Sequence, residues 1–359
     1  MSKKRLIIIG DVHGHITEFR NLLDKVDFNR TKGDHLILTG DLVNKGPDSA
    51  AVVQLAMDLG ADAVRGNNED RVLLAQAILQ RSNTASYDNH FGSDSNNGSP
   101  IDQEGEKPMP SQTSPIVEES DRETAASLSN AQIAWLSSLP LILRLGNLAS
   151  ATVPPWNAGT ILVVHAGLVP LIPLVEQNPW AVMNMRSIIY SNGAQEASEK
   201  EQPLKAGSQD VEAGVSVSLV VEEQREKRTG QTTDKEDARS LRDALKRDRE
   251  VGLPAEGREG VAWSHVWNVY QSLLEMPAEQ TVVVYGHDAL VGVQVEPEVE
   301  LGWINEGDKT PIKGTRYAFG LDSGYVYGKQ LTALVIEADP KTGGIVHRIE
   351  QVESKLAAM

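Results

Sequence analysis

Over residues 5–80, short apolar runs alternate with helical spacings, and each run ends in glycine followed by a polar residue. Leu6–Ile9 has the pattern of a buried strand and ends in Gly10-Asp11. Apolar positions at Phe19, Leu22 and Leu23 predict a helix after it, and His35–Thr39 predicts a second strand ending in Gly40-Asp41. Asp48 to Leu59 reads as another helix, and Ala61–Arg65 as a third strand ending in Gly66-Asn67. The result is a βαβαβ beginning with every motif at the carboxyl end of a strand, where open α/β sheets place their sites.

The periodicity then fails. From Ser82 to about Ser127 the chain fills with Ser, Asn, Gly, Pro and acidic residues, and this composition predicts a mobile insertion, bounded at 83–127. Leu128–Leu139 predicts a helix capped near Ser129, and Thr160–Val164 a strand leading into His165. A second polar insertion is expected over 192–237, followed by a charged helix over 238–250 that reads as a solvated face. The core resumes with a helix at Trp263–Leu274 and strands at Thr281–Tyr285 and Leu331–Ile336. There is no internal repeat, and one catalytic domain over residues 1–359 carrying two insertions accounts for the pattern.

Composition narrows the chemistry. Hydrophobic content of 40% and charged content of 23% are those of a globular protein with a real core. No run of eighteen apolar residues is present, so no membrane span is expected. The first strand candidate starts too near the N-terminus to leave room for a secretory segment, which points to the cytoplasm, or to the vacuole if an anchor precedes this sequence. With no cysteine, any metal must be held by oxygen and imidazole nitrogen. A net charge of −16 argues against duplex nucleic acid as partner, and a polyanionic phosphate substrate would need local cations. Much of the negative excess is concentrated, since nine carboxylates between Asn83 and Gln132 face only Lys107 and Arg122.

Five separated strand ends finish in glycine or valine plus a candidate ligand. Asp11 and His13 sit two residues apart in one turn, Asp41 offers a carboxylate able to bridge two ions, Asn67 an amide oxygen, and His165 and His287 two imidazoles. Such a set suits Mn, Fe or Zn. One Asp-x-His-Gly turn alone is most often only a turn with a helix cap. The full series in this order is not. His15, His35, His90, His265 and His347 lack that context and read as surface or packing residues, and the tryptophans read as core.

The order Gly10-Asp-x-His-Gly14, Gly40-Asp-x-x-x-Lys-Gly46, Gly66-Asn-x-Glu69, His165-Ala-Gly167, Gly286-His287 resembles the phosphoprotein-phosphatase branch of the calcineurin-like metallophosphoesterases. Gly40–Pro47, Tyr285–Ala289 and Gly320–Gly328 resemble the diadenosine-tetraphosphatase-like subgroup, which includes fungal zinc-dependent endopolyphosphatases and RNA-decapping enzymes. The resemblance implies a four-layer α/β/β/α sandwich with two mixed sheets. It also implies two divalent ions (Zn, Mn, Co, Fe or Mg), one held by Asp11, His13 and Asp41 and the other by Asp41, Asn67, His165 and His287. Ions about 3.5–4 Å apart would activate a shared water for in-line attack. Lys45, Arg65 and Arg186 are the candidate phosphate contacts. The implied substrate is a phosphoanhydride in polyphosphate, a dinucleoside polyphosphate or a capped nucleotide, with a protein phosphatase and a non-catalytic phosphate binder as alternatives.

One position departs from that pattern. Asn68 stands where relatives place the histidine that protonates the leaving group, and an amide cannot do so; general acid catalysis is worth about 10²–10⁴-fold. Asn44 stands where protein phosphatases have the aspartate that orients that histidine. Tyr325, often cysteine in the subgroup, and Leu290-Val291, where relatives tend to be basic, depart as well.

Overall fold

In the computed structural model, residues 5–88, 117–190, 252–303 and 311–354 are described, those of 82–88, 302–303 and 311 by backbone alone. The helices are α1 (Ile16–Lys25), α2 (Ser49–Leu59), α3 (Asn67–Asp88), α4 (Glu119–Ser127), α5 (Asn130–Ser138), α6 (Pro179–Asn184) and α7 (Trp263–Ser272). Two mixed sheets form the centre. The first has the order β14-β13-β1-β2-β3, built from Ile345–Glu353, Gln330–Ala338, Leu6–Ile9, His35–Leu38 and Asp62–Ala63. The second has the order β12-β9-β5-β4, from Ala318–Gly320, Thr281–Tyr285, Thr160–Val164 and Ile142–Gly146. In the first, β1, β2 and β3 run parallel and β13 enters antiparallel beside β1, Leu6 facing Ile336 and Ile9 facing Ala333.

Strand alternation sorts side chains between two cores. Ile7, Ile9, Leu36 and Leu38 pack with Phe19, Leu22, Val52, Val53 and Leu136 of the helices, while Ile8, Ile37, Leu334 and Ile336 point the other way, into a core shared with the second sheet. That second core continues through Leu162 and Val283 to Val182 of α6 and to Trp263 and Trp267 of α7. Helices, sheet, sheet and helices therefore stack as the expected four layers. Two small antiparallel sheets accompany them: β10-β11 (Glu298–Trp303, Pro311–Thr315), and β7-β6-β8 (Leu253–Ala255, Ser187–Ile189, Val261–Ala262).

Local chemistry sets the element ends. Asp48 caps α2 by accepting from the Ala51 amide at 2.8 Å, and Gly60 ends it in the left-handed region at φ 59°. Ser129 and Gln132 cap α5 reciprocally.

The structure corrects the boundary of the first insertion. Backbone helix α3 continues to Asp88, and α4 lies wholly inside 83–127 with Asp121 fully buried and Ala125 in the helical core. Composition misled here because α4 is short and mostly polar, so its two buried positions, Asp121 and Ala125, carry no visible periodicity. Residues 89–116 of that insertion, His90 among them, all of 192–237 and the 238–250 helix lie outside the described residues. The tryptophan expectation also needs one amendment: Trp156, Trp263 and Trp267 are buried, whereas Trp180 is 44% exposed.

Candidate active site

The carboxyl ends of β1, β2 and β3 meet those of β5 and β9, and the turns that follow them carry the candidate ligands. Close approach explains the glycines. A Cβ on Gly40, which has φ +90°, would lie 2.8 Å from the Gly66 nitrogen and 2.9 Å from His165 Nδ1. The ligands themselves are held in uncommon backbone conformations, with φ of 45° at His13, 50° at Asp41 and 68° at His287. Their neighbours compensate: His13 and Gly14 amides bond to the carbonyls of Asp41 and Leu42 at 2.8 and 2.7 Å.

Asp11, Asp41 and His165 bring one ligand atom each within 4.8 Å of one another, all buried. His13 Nε2 is 3.5 Å from Asp41 Oδ2 and 4.0 Å from Asp11 Oδ2. His165 Nε2 is 2.9 Å from Asn67 Oδ1 and 3.3 Å from Asp41 Oδ1. The His287 ring lies 5.0 Å from that of His165, and its backbone amide donates to Asp11 at 3.1 Å. All six predicted ligands are therefore brought together.

Each imidazole spends one nitrogen on a main-chain carbonyl. His13 Nδ1 lies 3.1 Å from Val43 O, His165 Nδ1 2.9 Å from Thr39 O, and His287 Nε2 3.0 Å from Asn184 O. Donation to those carbonyls places the proton there and leaves the other nitrogen as an acceptor. His165 Nε2 then faces two further acceptors, Asn67 Oδ1 and Asp41 Oδ1. Three lone-pair donors converging without a proton between them are the donor set of a hard-to-borderline cation, so the residues fit a divalent ion.

Electrostatics agree. Burial, with Asp322 and Asp41 nearby, pushes the Asp11 carboxyl well above the usual carboxylate range. Burial lowers His13 to about 4 and His287 well below its ordinary value, so both imidazoles are neutral and able to ligate. Burial opposes charge on Asp41, but His165, His13 and Lys45 outweigh it and keep the carboxyl low.

The phosphate-contact candidates divide. Lys45 Nζ stands 3.2 Å from His13 Nε2, at the cage. Arg186 lies close enough to His287 for its charge to lower that imidazole, and it donates to Glu256 O at 3.1 Å. Arg65 instead donates to Ser137 O at 2.6 Å and sits 3.5 Å from Asp70, serving the α3–α5 packing rather than any of the six ligands.

Sequence reasoning passed over the supporting residues. Glu69 accepts from the amides of Gly66, Asp41, Leu42 and Val43 at 2.7–3.2 Å and so shapes the turn that aims Asp41; burial, with Asp41 nearby, raises it to about 7. Thr39 Oγ1 donates to Asp11 at 3.3 Å. Glu69 stood in a quoted motif without a role. The carbonyls of Thr39, Val43 and Asn184 had no sequence signal, because every residue carries one.

Two mixed sheets meeting at a cage of buried Asp and His with a half-buried Asn define a metallophosphoesterase. A family model described as calcineurin-like phosphoesterase matches residues 4–206, more than half of the chain, and the chain belongs to that family. Among curated relatives, the symmetrical bis(5'-nucleosyl)-tetraphosphatase of Methylococcus capsulatus is 31% identical over 159 residues, 43% of this chain and 45% of that protein. The one from Nitrosospira multiformis is 46% identical over 81 residues, 21% of this chain and 29% of that protein. The chain thus spans less than half the length of these relatives. A crystal structure provisionally assigned as a diadenosine tetraphosphatase shares the fold, with a TM-score of 0.50 and 23% identity over 99% of both chains. Among the described residues, no helix is long and apolar enough to cross a membrane.

Proposed function

We propose that the chain is a two-metal phosphohydrolase that cleaves phosphoanhydride bonds. Asp11, His13 and Asp41 would hold one divalent ion and Asp41, Asn67, His165 and His287 the other, with Zn, Mn, Co, Fe or Mg as candidates. The convergence of His165 Nε2, Asn67 Oδ1 and Asp41 Oδ1 carries the proposal. When bound, such ions lower the pKa of a water and offset phosphoryl charge. The chain's own residues then divide the work: Lys45 and Arg186 bind and orient the phosphates, and Glu69 and Thr39 hold the carboxylates in place. The named activity of the matched relatives favours a nucleoside polyphosphate, and polyphosphate and capped nucleotides share its anhydride bond.

Asn68 favours anhydrides over alkyl esters, because a departing phosphate needs little protonation. The same residue supports a second reading, a phosphate binder that turns over slowly or not at all. Metal analysis and turnover separate the two. The metal-saturated protein is expected to hold two ions per chain and to hydrolyse diadenosine tetraphosphate or polyphosphate faster than a phosphopeptide. Asn68→His should raise every rate, with the largest fold gain on the phosphopeptide. Fewer than one ion per chain would sink the two-metal assignment, and two ions without turnover in either variant would establish the binder.

A further inference from the structure

Asn68 is 1% exposed, and every hydrogen bond its carboxamide makes is directional. Its Oδ1 accepts from Arg71 Nη2 at 2.7 Å and Asn44 Nδ2 at 3.2 Å, which occupies both carbonyl lone pairs. Its Nδ2 donates to Asp41 Oδ2 at 2.5 Å. Both donors to Oδ1 are held by one carboxylate. Asp121 Oδ1 accepts from Asn44 Nδ2 at 2.7 Å and from Arg71 Nε at 3.3 Å, while Asp121 Oδ2 accepts the Glu118 amide at 2.9 Å. Asp121 belongs to α4, fifty residues beyond Arg71, and its side chain is fully buried.

We infer that Asp121, acting through Asn44 and Arg71, locks the Asn68 carboxamide with its NH2 toward the cage, so that Asn68 offers substrate phosphate a neutral hydrogen-bond donor. The inference rests on the phosphohydrolase reading for its substrate class. Flipping the amide would set its NH2 against the Arg71 guanidinium and the Asn44 NH2, and its oxygen against the Asp41 carboxylate, each a donor–donor or acceptor–acceptor clash. The first amide hydrogen is taken by Asp41, and the second finds no acceptor among the described residues. A neutral donor does not titrate, so it stabilises phosphoryl oxygen equally across the working pH range. Asp121, Asn44 and Arg71 are positioning residues in this scheme, and Asn68 is the group that touches substrate.

A double-mutant cycle on the metal-loaded full chain tests this. Inorganic phosphate binding would be measured by calorimetry for the wild type, Asn68→Ala, Asp121→Asn and the double variant, alongside kcat and KM on 4-nitrophenyl phosphate and metal content. Asn68→Ala is expected to weaken phosphate roughly tenfold, the weight of one hydrogen bond. Asp121→Asn should reproduce most of that loss with two ions still bound, and should add nothing in the Asn68→Ala background. If Asp121→Asn folds poorly, Arg71→Met closes the same cycle. Equal losses from Asp121→Asn in both backgrounds would overturn the proposal, as would a wild type that does not bind phosphate. Because phosphate binding needs no turnover, a chain that binds phosphate through this cycle yet hydrolyses nothing would refute the proposed activity and leave the clamp standing.

Discussion

At the residue scale, burial makes single groups expensive to lose. Arg5 meets Asp34 bidentately, Nε to Oδ1 at 2.9 Å and Nη2 to Oδ2 at 2.5 Å, and Asn29 N adds a third bond to Asp34 at 2.8 Å. Burial by itself would raise the Asp34 carboxyl, but these bonds outweigh it and lower it from 3.8. A carboxyl lowered on folding stabilises the protein above its unfolded pKa, and that stability is lost as pH falls through the folded value. Arg5→Ala is therefore expected to cost about 3 kcal/mol near neutrality in urea unfolding and to flatten the loss of stability below about pH 4. A variant that parallels the wild type through that acid limb would refute the pairing argument. Gly40→Ala makes a second prediction. Its Cβ would push on the Gly66 nitrogen and on His165 Nδ1, so metal affinity should fall by about 10–100-fold, the usual weight of a residue that aims a ligand. Calorimetric titration with Mn checks it, and an unchanged affinity would mean that the turn relaxes without moving His165.

At the element scale, the strand ends and the Ser129-capped helix α5 were legible in the sequence, whereas α4 and α6 were not. A strand run followed by glycine and a ligand recurs because a side chain leaving a sheet at its carboxyl end needs a turn with no Cβ in the way, and that requirement is written locally. Arg71 could have been found, since three residues beyond Asn68 on α3 is the same helix face. Asp121 could not, because its partners Asn44 and Arg71 lie 77 and 50 residues away in sequence and α4 has too few buried positions to show a stripe. The strand β14 was missed for a similar reason: its residues are mostly half-buried at the sheet edge, so apolar and polar positions blur. The buried histidine His15 stacks edge-on against Tyr325 at 4.6 Å, and His347 accepts the Trp156 indole at 3.1 Å, so both pack rather than ligate, as their lack of context implied. Deleting residues 119–127 should for these reasons lower thermal stability and weaken phosphate binding together, whereas a structural role alone would move only the first.

At the scale of the whole molecule, the cage lies where two sheets meet, and divalent ions bound there would hold both. Removing them with a chelator should lower the melting temperature. At free metal one hundred times the dissociation constant, the bound ion contributes about 2.7 kcal/mol, which differential scanning calorimetry resolves as a shift of several degrees. No shift would separate the cage from global stability. The order of the first sheet has a further consequence for biosynthesis. Strand β1 is flanked on one side by β2 and on the other by β13, whose Ala333 pairs with Ile9 and is made far later, and Asp11 waits for His287 in the same way. A nascent chain emerging from the ribosome therefore exposes the apolar strand Leu6–Ile9 with one open edge until β13 has been made. Release of β13 closes that edge after His287 has completed the ligand set, so the six-residue cage cannot form until the 276 residues separating Asp11 from His287 have been made.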